Sequence, residues 1–190
     1  MSAKPNYKYL TPDEYLAIER KAEYKSEYID GVMYAMAGGS PQHSLISGNV
    51  LTEINIQLRN SPCQVYNSDM KTRVPSSRRF HYPDVTVVCE EPRFADDERD
   101  VLLNPLLIVE VLSDSTADYD HNEKFDDYRE IESFREYLLV AQDEPVVERF
   151  LKQPDGSWRG AKVEGLDQSI ELATINCRLK LRDIYAKVLA

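Results

Sequence analysis

The pattern of apolar and polar positions predicts a chain in which short strands alternate with a few helices. Apolar residues recur at helical spacing from His43 to Arg59, which predicts a long amphipathic helix. A shorter helix is predicted from Pro12 to about Glu23, because an N-cap threonine (Thr11) is followed by proline and then by Glu14 three residues after the cap. Further helices are predicted at about 121–131 and 181–189.

Two apolar stretches stand apart from the other predicted strands. Val85–Val88 is apolar or β-branched throughout, and Leu106–Leu112 is apolar except for Glu110. Runs of this kind, bounded by turn residues, are typical of central strands buried on both faces. Asp30-Gly31, between two extended runs, predicts a hairpin. The remaining strands are predicted at 64–67, 71–74, 136–140, 146–151 and 158–163, with a loop at 89–104.

These elements predict one α/β or α+β domain over residues 1–190, with helices on both sides of a central mixed sheet. A chain of 190 residues buries about 70% of its unfolded surface, so neither a metal nor a disulfide is needed to stabilise it. No apolar run approaches ~18 residues, which argues against a membrane-spanning helix. The first residues lack the apolar segment of a secretory signal, so a cytoplasmic protein is expected.

The cysteines do not form a recognisable framework. Cys63, Cys89 and Cys177 are odd in number and widely separated. They match neither a disulfide-rich scaffold nor a zinc-binding Cys-x-x-Cys pair, and we predict three reduced, buried thiols.

The charge balance limits the ways in which the protein can bind nucleic acid. Twenty-three Lys and Arg residues against 33 Asp and Glu residues give a net charge of −10. A protein that binds DNA mainly by neutralising phosphates is basic, whereas this one repels DNA at long range. A role in nucleic-acid chemistry therefore requires a local basic patch, a bound metal or a partner.

The strongest candidate for chemistry is Glu110, which interrupts an apolar strand. A buried carboxylate must be protonated, paired with a cation or bound to a metal, unless it lies at the strand end and faces solvent. Asp84 occupies the start of the other central strand. Two acidic residues on neighbouring strands can converge on one hard cation, for which oxygen ligands are suited.

This spacing resembles the metal-binding half of the PD-(D/E)XK nuclease core. In that pattern a lysine follows two residues after the glutamate, but Leu112 stands at this position. The next lysine downstream is Lys124, in the predicted helix. Alternatively, Lys124 is an ordinary lysine on the helix surface, either solvated or paired with Asp120 or Tyr128 at i, i+4 spacing.

Three longer segments resemble the Uma-two family of restriction-endonuclease-like proteins, which is common in cyanobacteria. They are His81–Val85, Ile108–Thr116 and Glu123–Tyr128, and the resemblance extends from about residue 11 to 185. It implies a restriction-endonuclease-like fold, a metal-dependent phosphodiesterase activity and a catalytic lysine that has moved onto the helix, at Lys124. Leu138 and Ala141 differ from the family's usual tryptophan and aspartate, so no site role is expected for their strand.

On this resemblance, Asp84, Glu110 and the backbone carbonyl of Val111 are expected to hold Mg²⁺ or Mn²⁺. Lys124 would orient the attacking water or stabilise charge on the phosphorus centre. Glu27 and His43 are auxiliary candidates; alternatively, Glu27 is a solvated edge-strand residue and His43 a helix cap or surface group. The candidate nucleic-acid contacts, which could equally form a solvated loop, are Lys71, Arg73, Arg78 and Arg79.

The sequence thus predicts a metal-dependent endonuclease that hydrolyses phosphodiester bonds of DNA. The alternative is a catalytically inactive module of the same fold that acts in binding or oligomerisation. A homodimer is expected for an active enzyme, because cutting both strands of a duplex usually takes two sites related by a two-fold axis.

Overall fold

A computed structural model describes residues 9–75, 78–113 and 116–189, so Asp114 and Ser115 of the Ile108–Thr116 segment lie outside the described residues. The described helices are α1 (Pro12–Glu19), α2 (Pro41–Leu58), α3 (Ala117–His121), α4 (Glu123–Arg129) and α5 (Leu181–Ile184). None of them is both long and apolar enough to cross a membrane.

The described strands form three sheets. They are β1 (Ser26–Ile29), β2 (Val32–Ala35), β3 (Gln64–Asn67), β4 (Lys71–Val74), β5 (Arg79–His81), β6 (Val85–Val88), β7 (Val101–Leu102), β8 (Leu107–Leu112), β9 (Glu136–Ala141), β10 (Val146–Lys152), β11 (Trp158–Glu164), β12 (Ser169–Leu172) and β13 (Cys177–Lys180). The six-stranded sheet has the order β11-β10-β9-β8-β6-β3, and the five-stranded sheet has the order β2-β1-β5-β4-β7. The β12-β13 hairpin is separate.

The six-stranded sheet is mixed, because β8 pairs parallel with β9 and antiparallel with β6. Both predicted central strands, β6 and β8, are interior strands of this sheet, and all four residues of β6 are buried. On one face, Ile46, Val50 and Ile54 of α2 pack in the same cluster as the side chains of alternate strand residues. On the other face, α4 contributes Phe125 and Tyr128 to a second cluster. The predicted mixed sheet flanked by helices is confirmed.

Local signals in the sequence produced several elements as predicted. Thr11 and Glu14 form the reciprocal capping box at the start of α1. The hairpin forms around Asp30-Gly31, where both residues have positive φ (48° and 98°). Helix α2 begins at Pro41, two residues earlier than expected, because Ser40 caps it by accepting a hydrogen bond from the His43 N–H.

Other elements differ from the prediction. The single helix expected at 121–131 is two short helices, and the first of them already includes Asp120. The closing helix is only one turn, α5. Strands β5, β7, β12 and β13 were not predicted, because each is at most four residues long and has no extended run of apolar residues.

The prediction of three reduced thiols is wrong for two of the cysteines. Cys63 and Cys89 form a disulfide. In the antiparallel pair of β3 and β6, Gln64 lies opposite Val88. One step further along this register, Cys63 lies opposite Cys89. This pairing depends on strand register, which the 26-residue separation along the chain conceals. Cys177 is free and buried, as predicted.

Candidate active site

The register of β6 and β8 brings the two predicted acidic ligands to the same end of the sheet. Val85 lies opposite Val109, and one further step along that register places Asp84 opposite Glu110. Residues directly opposite each other on antiparallel strands project from the same face. The Asp84 carboxylate is held there, because the backbone N–H of Val111 donates to its Oδ2 at 2.8 Å.

Glu110 is almost completely buried, with 3% of its surface exposed. The Tyr128 hydroxyl donates to its Oε1 at 2.8 Å, and the Lys124 Nζ lies 3.1 Å from the same oxygen. Burial raises the pKa of Glu110 above its usual range; Lys124 opposes this shift, whereas the carboxylates of Asp120 and Asp84 add to it. The ionised form of Glu110 therefore depends on a nearby positive charge.

Lys124 lies at the centre of this cluster and bridges the two larger sheets. Its Nζ is 3.1 Å from Glu110 on β8, 3.2 Å from Glu27 on β1 and 3.3 Å from Asp120. Although burial disfavours the ammonium form, these three carboxylates keep the pKa of Lys124 well above its usual value. Lys124 therefore makes both contacts, the i, i+4 pair with Asp120 and the contact with Glu110.

Glu27 joins the cluster from the hairpin. The backbone N–H of Tyr82 donates to its Oε1 at 3.2 Å, and His81 Nδ1 lies 3.5 Å from its Oε2. Burial opposes ionisation of Glu27, but Lys124, together with His81 and the Tyr82 N–H, outweighs it and lowers the pKa of Glu27 to about 2. Glu27 is therefore a buried carboxylate that remains ionised, not a solvated edge residue.

This lowered pKa predicts an acid-sensitive contribution to stability. A carboxylate with a lowered pKa in the folded state stabilises fully above its unfolded pKa of about 4.5, and this stabilisation disappears as the pH falls towards 2. We expect the contribution of Glu27 to be about 3 kcal/mol at neutral pH. Urea unfolding between pH 7 and pH 2 should show a smaller acid-induced loss for Glu27→Gln than for the parent. Parallel curves for the two proteins would contradict this expectation.

His43 and Asp84 form the partly exposed edge of the cluster. His43 Nε2 lies 3.2 Å from Asp84 Oδ2, and the side chains are 23% and 12% exposed, respectively. The hydrogen bond with Asp84 raises the pKa of His43 despite partial burial. Gly39 packs closely against the imidazole, since a Cβ at this position would lie 3.0 Å from His43 Nδ1.

The four basic candidates do not form one patch beside this cluster. Lys71 is buried and pairs with Asp100 at 2.8 Å, and the Arg73 guanidinium lies over the ring of Phe80. Arg78 is exposed in the turn before β5. Arg79 alone is connected to the cluster, through an ion pair of 2.5 Å with Asp127.

Sequence reasoning missed several residues of this network. His81 is completely buried, and its Nε2 lies 2.9 Å from Asp127 Oδ2 on the side opposite Glu27. The sequence indicated Asp120 and Tyr128 only as possible partners of Lys124 on the helix surface. The available signal was the i, i+4, i+7 spacing of Asp120, Lys124 and Asp127, which places charged residues along one helix face.

The donor set suits a hard divalent cation. Three carboxylates contact a single lysine, and a fourth, that of Asp84, lies near Glu110. The buried Oδ1 of Asp120 lies 3.3 Å from Lys124 Nζ and accepts no other hydrogen bond. Within the described ranges, no three His, Cys, Asp or Glu side chains are arranged to hold a metal by themselves. A cation bound here would therefore need a backbone oxygen in addition to the carboxylates. The carbonyl of Val111 is suitably directed, because N–H and C=O of one strand residue point to the same side and its N–H points to Asp84.

Comparisons with known proteins agree with this architecture. The chain is 37% identical over 166 residues to the uncharacterized protein sll1609 of Synechocystis sp., covering 87% of this chain and 94% of that protein. It is 36% identical over 176 residues to the uncharacterized protein slr1290 of the same organism, covering 93% and 91%.

A solved structure shares the fold. The crystal structure of a putative nuclease belonging to DUF820 from Anabaena variabilis superposes with a TM-score of 0.76 at 16% identity, covering 95% of this chain and 99% of that one. The fold is thus restriction-endonuclease-like, as the sequence motifs implied. Residues 12–182 match the family described as Uma2, putative restriction endonuclease. The chain therefore belongs to the Uma2 family.

Proposed function

We propose that this protein is a metal-dependent endonuclease that hydrolyses phosphodiester bonds of DNA. The observation that carries the proposal is the 3.1 Å contact between Lys124 Nζ and Glu110 Oε1, at the strand end where Asp84 is also held. A lysine and two acidic residues on adjacent strands are the groups that such a hydrolysis requires. Membership of the Uma2 family supports a nuclease function.

Asp84, Glu110 and the Val111 carbonyl would hold Mg²⁺ or Mn²⁺. When bound, such an ion polarises the scissile phosphate and lowers the pKa of a bound water. The Tyr128 hydroxyl and the Val111 N–H orient the two carboxylates, because each donates to one of their oxygens.

Lys124 supplies the fixed positive charge of the site. Its three carboxylate contacts hold the ammonium group in place, so little reorganisation is needed when negative charge develops on the phosphate. To orient the attacking water as well, the ammonium group would have to redirect one of its three N–H donors from a carboxylate to that water. The excess of carboxylates attracts the cation, and the cation in turn attracts phosphate despite the net charge of −10.

The proposal is tested by incubating the purified protein with supercoiled plasmid and with single-stranded DNA. We expect cleavage with Mg²⁺ or Mn²⁺ and none with EDTA. A homodimer would linearise the plasmid, because two sites act on opposite strands, whereas a monomer would accumulate nicked circles. Intact DNA under all metal conditions would contradict the proposal.

One observation favours the second candidate function, an inactive binding or oligomerisation module. Glu110 is 3% exposed and already engaged by Lys124 and Tyr128, so the cluster could serve only to join the two sheets. Such a module would bind its partner or itself without cleaving DNA and would not bind Mn²⁺.

A further inference from the structure

Strand β2 carries an exposed aromatic residue next to the candidate active site. β2 is the edge strand of the five-stranded sheet, and its register with β1 places Tyr34 directly opposite Glu27. Opposite residues project from the same face, about 5 Å apart at Cβ. Tyr34 therefore lies on the face where Glu27 contacts Lys124, yet 52% of its surface is exposed.

The chain that follows Tyr34 continues along the same border. Met36 extends the pairing, since its N–H donates to the Lys25 carbonyl at 2.9 Å, and it is 37% exposed. Tyr34 and Met36 are two residues apart in an extended chain, so their side chains lie on the same face of the sheet. The segment then reaches His43, which contacts Asp84 at 3.2 Å. Both ends of the segment from Tyr34 to His43 thus adjoin residues of the cluster.

From this placement we infer that Tyr34 binds the substrate by stacking on an unpaired nucleobase near the scissile phosphate. The inference rests on the proposed endonuclease function and adds a site for the base to a site for the phosphate. Its ligand is a nucleobase of single-stranded or locally opened DNA, because bases within an intact duplex have no free face.

The charge of the protein favours such a contact. Proteins that bind single strands combine a basic groove with aromatic residues on which bases stack. Here the net charge is −10, and Lys71, Arg73 and Arg79 are engaged within the protein. Contacts with the bases must therefore supply a larger share of the affinity than contacts with phosphates do.

Tyr24 provides a matched control. It is 65% exposed but lies in a bend before β1, outside the β1–β2 pair that places Tyr34 opposite Glu27. An effect that arises only from losing an exposed tyrosine would appear equally at Tyr24 and Tyr34.

The test is the affinity for a short fluorescein-labelled single-stranded DNA, measured by anisotropy in Ca²⁺, with the DNA checked for integrity on a gel. Tyr34→Ala should raise Kd at least about 5-fold, whereas Tyr34→Phe and Tyr24→Ala should remain near the parent. The slope of log Kd against log salt should not change in Tyr34→Ala, because stacking releases no counterions. An oligonucleotide containing 2-aminopurine should lose fluorescence on binding the parent but not Tyr34→Ala.

Equal affinities of Tyr34→Ala and the parent would overturn the inference, as would no binding of the oligonucleotide by the parent. So would equal losses in Tyr34→Phe and Tyr34→Ala. These outcomes differ from failure of the endonuclease proposal, since affinity is measured without turnover. A parent that cleaves DNA while Tyr34→Ala binds normally would remove only the stacking site. Urea unfolding of Tyr34→Ala confirms that the variant is folded.

Discussion

Replacing Lys124 by methionine should destabilise the protein by about 3–5 kcal/mol, because the change removes the cation from a buried ion cluster. Methionine preserves much of the aliphatic length, so the main effect is electrostatic. Glu27, Glu110 and Asp120 would be left close together with no ammonium group between them. The free energy of unfolding, measured in urea at neutral pH, provides the test.

The pH dependence distinguishes this mechanism from a simple packing defect. In Lys124→Met the uncompensated carboxylates have raised pKa values, so they take up protons on folding and the variant gains stability as the pH falls. In the parent, Glu27 has a lowered pKa, so its contribution to stability is lost as the pH falls below about 4.5. The difference between the two proteins should therefore shrink towards low pH.

Lys162→Met, which removes an exposed pair with Glu164, is the control and should unfold like the parent. A pH-independent difference for Lys124→Met would contradict the account.

Asp84→Asn and Glu110→Gln should each slow metal-dependent DNA cleavage at least about 100-fold, a loss of about 2.7 kcal/mol in transition-state stabilisation. Both variants keep an oxygen that can accept the hydrogen bonds from Val111 and Tyr128. The amide oxygen is nevertheless a weaker ligand than a carboxylate, so cation binding should suffer more than folding.

Glu164→Gln is the matched control for the change from carboxylate to amide, since Glu164 is exposed and forms an ion pair with the equally exposed Lys162. It should cleave like the parent. First-order rates of plasmid cleavage at saturating Mn²⁺ measure the effect. Parental rates in both Asp84→Asn and Glu110→Gln would show that the activity arises elsewhere in the molecule.

The central part of the fold could be predicted because its signals are local. The apolar runs of β6 and β8 and the Asp30-Gly31 turn each depend on a few consecutive residues. The capping box of α1 does so as well. The short strand β7 is held by pairing with β4, and β5 lies between its neighbour β4 and the distant strand β1. No run of consecutive residues marks either strand in the sequence.

The candidate site could be predicted where a charged residue stands in an apolar segment. Glu110 in an apolar strand requires a compensating charge, and the register of two adjacent strands then selects Asp84. His81 carried no signal, because a histidine beside polar neighbours is common, and Asp127 carried only the weaker signal of its helical spacing from Lys124. Their contact joins positions 46 residues apart and arises only when the five-stranded sheet packs near α4.

The most direct test of the account is a calorimetric titration of the protein with Mn²⁺. We expect one site per chain in the parent and in Glu164→Gln, and a strong loss of affinity in Asp84→Asn and Glu110→Gln. Absence of Mn²⁺ binding by the parent, or equal binding by all four proteins, would contradict the claim that Asp84 and Glu110 hold a divalent cation beside Lys124.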